Sequence, residues 1–202
     1  EHEQMIEKRR TAKKDYIAKV AVDVFFQKGY KESSLEDISN KGKISKAGIY
    51  HYFKSKPDIL SYALLGFTDK VLSEMNEAIK KAKEKNLSKQ QIFNALIETY
   101  ATCMMRNRKI SLIVLRERHQ LPTPHKNELL NRERLFFHIV RDQLRQVPCL
   151  NKKLNVNIIS FQIISMIHWM GYWFDSKGPL SEREALRQMI KIIFKGVLNY
   201  KQ

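Results

Sequence analysis

The sequence predicts an all-α protein in two parts, a small N-terminal three-helix domain over residues 1–58 and a larger helical domain over residues 59–202. Three observations carry that prediction. Apolar residues recur at intervals of three and four along most of the chain, the spacing that lines up one face of an α-helix. Three Ser-x-x-Asp/Gln/Glu capping boxes, Ser34/Asp37, Ser88/Gln91 and Ser181/Glu184, mark helix starts. Only 7 Gly and 5 Pro interrupt 202 residues, and the 43% hydrophobic share is ordinary for a globular chain.

The elements follow in order. Residues 1–14 are polar and basic, with Lys8, Arg9, Arg10, Lys13 and Lys14. They suit either a helical arm lying against phosphates or a frayed, solvated helix start. Ile17, Val20, Ala21, Val24 and Phe25 then form one face of a helix ending at Gly29. Ser34 and Asp37 cap a helix from about Leu35, which Gly42 breaks by supplying backbone freedom for a turn. Ser45 caps a second short helix from about Lys46 to Tyr52, and Ser55-Lys56-Pro57-Asp58 opens a third, which runs to about Lys85. Phe26, Tyr30, Leu35, Ile38, Ile44, Ile49, Tyr52 and Phe53 are expected to complete a small core around these elements.

Ser88/Gln91 starts a helix that Arg106–Lys109 ends, and residues 110–120 give a further apolar turn or two before Leu-Pro-Thr-Pro at 121–124. A helix is expected from about His125 to Val147. Residues 156–174 carry no formal charge and are apolar on all sides, but Asn157, Ser160, Gln162, Ser165 and His168 argue against a membrane span. Burial between the domain core and a second subunit fits better. A last amphipathic helix follows Ser181, so two apolar hairpin helices doubled by a two-fold axis would make a four-helix dimer interface. Its expected residues are Ile163, Ile167, Met170, Phe174, Met189, Ile193 and Val197.

The formal charge is +16, and only +4 of it lies in residues 1–58, with 13 Lys and Arg against 9 Asp and Glu. That excess suits a polyanionic partner, an acidic ligand or a plain solubilising surface. Cys103 and Cys149 are isolated, which points to buried or indifferent thiols in a reducing compartment and to no metal site. His119 with Glu117, and His138 with Arg141 and Asp142, lack the spacing of a triad, a metal centre or a phosphate loop, so no catalytic role and no cofactor are expected.

Helix, glycine turn and second short helix make a helix-turn-helix, whose second helix enters the DNA major groove. From Ser39 to Pro57 there are five lysines, Lys41, Lys43, Lys46, Lys54 and Lys56, and no carboxylate to repel phosphates. Ala47 and Gly48 keep the start of the second helix small enough for close approach, while Tyr50 and His51 supply donors beside them.

The run ISKAGIYHYFKSKPDIL, preceded by FFQKGYKESSLEDIS, closely resembles the DNA-binding region of the tetracycline-repressor (TetR) family of bacterial transcriptional regulators, over about residues 12–60. The resemblance implies phosphate contacts at Ser34, Tyr50, His51 and Lys56, and approach to bases at Lys43, Ser45, Lys46, Ala47 and Gly48. It also implies an all-helical dimer joined through its last two long helices, with reading helices roughly 34 to 36 Å apart on a near-palindromic operator. Segments LRERHQLPTPHKNELLNRERLF and IHWMGYWFDSKGPLSEREALRQMI look like the C-terminal domains of those members that respond to acyl-coenzyme A thioesters in fatty-acid or sterol breakdown. Arg106, Arg108, Lys109, Arg116 and Arg118 would then meet CoA phosphates, and Met104, Met105, Phe136, Met166, Trp169, Met170 and Trp173 would line a cavity for the tail. Plain core is the competing reading for each of those apolar residues.

The expected function is a ligand-responsive repressor of the bacterial cytoplasm and nucleoid, not an enzyme, with operator DNA, a small effector and a second copy as partners. The alternatives are a sequence-indifferent basic DNA-binding protein and a regulator of the same type for a hydrophobic ligand other than CoA.

Overall fold

The computed structural model describes residues 2–148, 150, 153–174 and 177–195; Cys149 and Val197 lie outside them. Nine α-helices and one 3-10 turn occur among the described residues, without a strand. They are α1 (His2–Lys28), α2 (Leu35–Gly42), α3 (Lys46–Tyr50), α4 (Lys56–Glu84), α5 (Lys89–Arg106), α6 (Arg108–Glu117), the turn Arg118–Gln120, α7 (Thr123–Leu144), α8 (Val156–Trp173) and α9 (Glu182–Ile193). No helix is long and apolar enough to cross a membrane among the described residues.

The chain divides into two compact units, one from residues 1–67 with 109–129, the other from 68–108 with 130–202. Polar ties hold the later segment to the first unit: Lys109 pairs with Asp23, and His125 Nδ1 lies 2.8 Å from Ser61 Oγ.

In the first unit, α1 buries Ile17, Val20, Ala21, Val24 and Phe25, the stripe its spacing predicts. Ile38, Ile49 and Ile59 are fully buried opposite it, each contributing about 1.5–3 kcal/mol of apolar transfer. Tyr30, Ile44 and Phe53 join them, while Phe26, Leu35 and Tyr52 are only half-buried. The left-handed residue of the α2–α3 turn is Lys43, at φ 49°, and not Gly42. Gly42 is the last residue of α2 and is needed for close approach: a Cβ there would stand 3.1 Å from Ile44 Cδ1 and 3.3 Å from Val20 Cγ1.

In the second unit, α5 packs against α8 and α9. Phe93, Leu96, Ile97 and Tyr100 of α5, Ile163 and Ile167 of α8 and Ile193 of α9 are all buried in this unit. Arg132 grips Asp69 through two bonds of 2.6 and 3.0 Å, a fork-to-carboxylate pair joining α7 to α4. Ser34/Asp37 and Ser88/Gln91 are reciprocal capping boxes. Ser181 caps α9 one way only, because Arg187 and Gln188 hold the Glu184 carboxylate.

One polar pair sits in this interior. Tyr100 Oη and His168 Nε2 are 2.5 Å apart. Burial raises the phenol's pKa and brings the imidazole down to about 4, so phenol and neutral ring share one hydrogen bond.

Two expectations follow for stability. Gly42→Ala should lower it by about 1–3 kcal/mol through overpacking, whereas Gly66→Ala on α4, where an added Cβ meets nothing within 4 Å, should raise it by about 0.5–1 kcal/mol. Urea unfolding midpoints that move in the same direction would contradict the packing assigned to Gly42. The second concerns His168, which titrates near its ordinary 6.5 when unfolded and at about 4 in the fold. Between those values the unfolded chain holds the extra proton, so stability should fall as pH drops from about 6.5 to about 4 and the contribution should level off below. His168→Gln keeps an acceptor for Tyr100 and should flatten that segment of the pH–stability curve; an unchanged slope would refute a buried neutral imidazole.

Candidate nucleic-acid interface

Chemistry at every junction sets the α2–turn–α3 unit. The Ser34 hydroxyl accepts from the Asp37 amide at 3.2 Å, and Asp37 returns the bond to the Ser34 amide at 2.7 Å. Lys28 stands 2.7 Å from Asp37; that contact, with the Ser34 bonds, holds the carboxyl down at about 2. Ser39 Oγ donates to the Ile44 carbonyl at 2.6 Å across the turn, and the Tyr16 hydroxyl donates to the Gly42 carbonyl at 3.2 Å. Ser45 then caps α3, accepting from the Gly48 amide at 3.0 Å. A Cβ on Gly48 would come within 3.1 Å of both Ile44 Cγ2 and Ser45 Oγ, so the small residue there serves the turn as well as outward approach.

Ile49 and Phe53 point into the unit and fix α3 by one side. The opposite side is exposed and carries Lys46, Ala47, Tyr50 and His51, with Lys43 and Ser45 before it and Lys54 after it. Tyr50 is 56% exposed on that side. The structure thus brings together nine of the ten residues singled out for DNA, counting the capping Ser34 and half-buried Gly48.

Lys46 is engaged within the unit by Glu36 of α2, which raises its pKa. Both side chains are more than half exposed, so a phosphate can replace the carboxylate at little cost.

Lys56 departs from the expectation. Its ammonium donates to the carbonyls of Tyr30 and Ser33 at 2.7 Å each and of Lys31 at 3.4 Å, and lies 4.5 Å over the Tyr30 ring. Burial lowers its pKa. Three acceptors match its three donors, so Lys56 closes the α1–α2 loop and is not a free cation for phosphate.

In the second unit the residues named for an effector separate. Met104 and Phe136 are buried and Met166 is half-buried, while Arg106 is exposed at the end of α5. Trp169 and Trp173 are 56% and 68% exposed, so they line no interior cavity. Arg108 is spent on the carbonyls of Gly171 and Tyr172, at 2.8 and 3.3 Å, where it satisfies the C-terminal end of α8. Arg116 and Arg118 belong to the first unit, the former exposed and the latter half-buried.

Of the residues expected at a dimer interface, Ile163, Ile167, Met189 and Ile193 are buried inside the chain itself, and Met170 and Phe174 are half-buried. A helix apolar all round gives no phase in sequence; the structure supplies it. The side of α8 left outward carries Ile158, Phe161, Trp169, Tyr172 and Trp173, and α9 adds Ile192 at 61% exposure. Trp169 and Tyr172 stack at 5.0 Å with planes 8° apart, a flat apolar plate facing solvent.

Comparison with known proteins places the chain in a family. A family model described as the tetracycline repressor-like C-terminal domain matches residues 86–197, and the model of the bacterial regulatory proteins of the tetR family matches residues 17–63. The HTH-type transcriptional repressor KstR2 of Mycolicibacterium smegmatis is 21% identical over 193 residues, covering 92% of this chain and 91% of that protein. Among solved structures, the ketosteroid transcriptional regulator KstR2 of Mycobacterium tuberculosis has a TM-score of 0.82 at 18% identity, over 94% of this chain and 95% of that one. The transcriptional regulator FadR from Bacillus subtilis, in complex with stearoyl-CoA, has a TM-score of 0.71 at 18% identity, over 90% and 98%. Likeness at such identities speaks for the fold; the C-terminal family match by itself spans more than half of the sequence. The chain belongs to the tetracycline-repressor (TetR) family of bacterial transcriptional regulators.

Proposed function

We propose that this regulator is a ligand-responsive repressor that binds an inverted-repeat operator as a dimer and leaves it when a small effector binds, the effector being an acyl-CoA thioester. The observation that carries the DNA-binding part is the exposed face of α3, held by Ser45 and Ile49 and flanked by lysines with no carboxylate from Ser39 to Pro57. Lys43, Lys46, Ala47 and Gly48 approach bases, while Tyr50, His51 and Lys54 meet phosphates.

The dimer is built from the outward side of α8 and α9. An apolar plate of this kind on a subunit marks an interaction surface, and a two-fold pairing of α8 and α9 makes a four-helix contact without a new element. The effector reading is supported by the apolar, methionine-bearing interior around Met104, Phe136 and Met166, by the Tyr100–His168 pair as a polar point within it, and by the basic surplus outside residues 1–58. FadR, of the same fold, is solved with stearoyl-CoA. Effector binding expels the protein from DNA only in so far as it favours a conformation in which the two α3 helices no longer fit adjacent turns.

Fluorescence anisotropy at one ionic strength, comparing a duplex enriched by the protein from a randomised library with a shuffled duplex of the same composition, tests the DNA reading. Selective binding by about 10³-fold or more is expected; equal affinity would leave the sequence-indifferent alternative. Tyr50→Ala should weaken both duplexes alike, and Lys56→Ala should act through unfolding temperature instead. Phe161→Glu with Trp173→Glu should give monomers in sedimentation and lose operator binding, and an intact dimer would displace the interface from this face. Arg106→Ala should weaken palmitoyl-CoA in calorimetric titration by about tenfold, the loss of one charge-assisted contact, without changing operator affinity. Free palmitate binding as tightly as the thioester would favour a hydrophobic ligand other than CoA.

A further inference from the structure

The family match to the DNA-binding part begins at residue 17, whereas α1 begins at His2. Residues 2–13 are all exposed, and the first buried position of the helix is Ile17. These residues continue α1 past the part that its own unit buries and leave every side of the helix open to solvent.

The root of this arm is fixed, and fixed beside α3. Lys14 Nζ lies 5.4 Å over the Phe53 ring and 5.2 Å over the Tyr62 ring. The Tyr62 hydroxyl donates to Asp15 at 2.7 Å, and the Tyr16 hydroxyl reaches the Gly42 carbonyl. Gly42 stands just before α3 and Phe53 just after it, so the arm leaves the unit next to the reading helix.

Helical phase says which way its charges face. Residues three and four apart share a side, so the inward row Val24, Val20, Ile17 continues beyond the core as Lys13, Arg9 and Arg10. The face that is apolar where α1 meets its own unit becomes cationic where that unit ends. Arg9 and Arg10 pair with no carboxylate among the described residues.

We propose that residues 6–14 are a second DNA-contacting element, in which Arg9, Arg10 and Lys13 sit on duplex phosphates flanking the half-site read by α3. The proposal rests on the DNA-binding reading above. At 1.5 Å per residue the nine residues 6–14 extend about 13 Å, or roughly four base pairs of flanking duplex. Its chemistry is that of a phosphate track: guanidinium and ammonium groups on one side, and no base-reading geometry.

The test uses the full chain and its Arg9→Gln/Arg10→Gln/Lys13→Gln variant, with two duplexes enriched from a randomised library, one trimmed to the selected operator and one carrying ten further base pairs on each side. These positions are solvent-exposed, so thermal melting should be unchanged. On the flanked duplex the variant should bind about tenfold or more weakly at ~100 mM salt, with a salt slope shallower by about 2–3 per protomer. On the trimmed duplex the two proteins should bind alike. Equal binding to the flanked duplex, or an equal loss on both duplexes, would overturn the proposal. A full chain that enriches no duplex would overturn the DNA reading itself, an outcome visible before the variant is made.

Discussion

The structure depends on holding a five-residue helix, α3, in one orientation. Alone, such a segment has too few internal bonds to offset the ordering of its backbone. Its stability is supplied from outside: Ser45 satisfies the Gly48 amide, Ile49 is fully buried, and Phe53 anchors the following turn. The turn before it is set by Gly42, whose missing Cβ lets Ile44 and Val20 close over it. Each of these contacts runs to the side away from solvent, which is why the other side can be left to lysines and Tyr50. Reading DNA requires a surface that does not rearrange, and here the rigidity comes from neighbours rather than from helix length.

The same division of labour recurs in α8. Its inward face, with Ile163 and Ile167, completes the chain's own core, while Phe161, Trp169 and Trp173 stay outside. One chain thus satisfies half of the helix, and the proposal gives the other half to a second copy. Arg108 donates to the carbonyls of Gly171 and Tyr172 in the last turn of α8, close in sequence to the Trp169–Tyr172 plate.

Much of this was legible in the sequence because local chemistry encodes it. Ser34/Asp37 and Ser88/Gln91 announced helix starts, and the Ile17–Phe25 stripe announced the face that α1 buries. Other features needed tertiary contacts. Nothing local shows that Lys56 spends its donors on the carbonyls of Tyr30, Lys31 and Ser33, since a lysine in a basic run looks the same whether it points at solvent or at backbone. Gly42 looked like the flexible residue of the turn because glycine tolerates positive φ, yet Lys43 adopts it and glycine is needed for space. In α8 the lack of polar residues on any side erased the periodicity, so Ile163 and Trp169 could not be sorted into inner and outer sets. The membership of residues 109–129 in the first unit rests on partners far away in sequence, such as Asp23 and Ser61.

The proposed function requires paired, rigidly mounted α3 helices, and the pattern of bases the protein selects reports on that pairing most directly. Deep sequencing of duplexes enriched by the full chain from a randomised library should yield an inverted repeat whose half-site centres lie about 34–36 Å apart, one turn of the duplex. A single unrepeated site, or no enriched sequence at all, would contradict it.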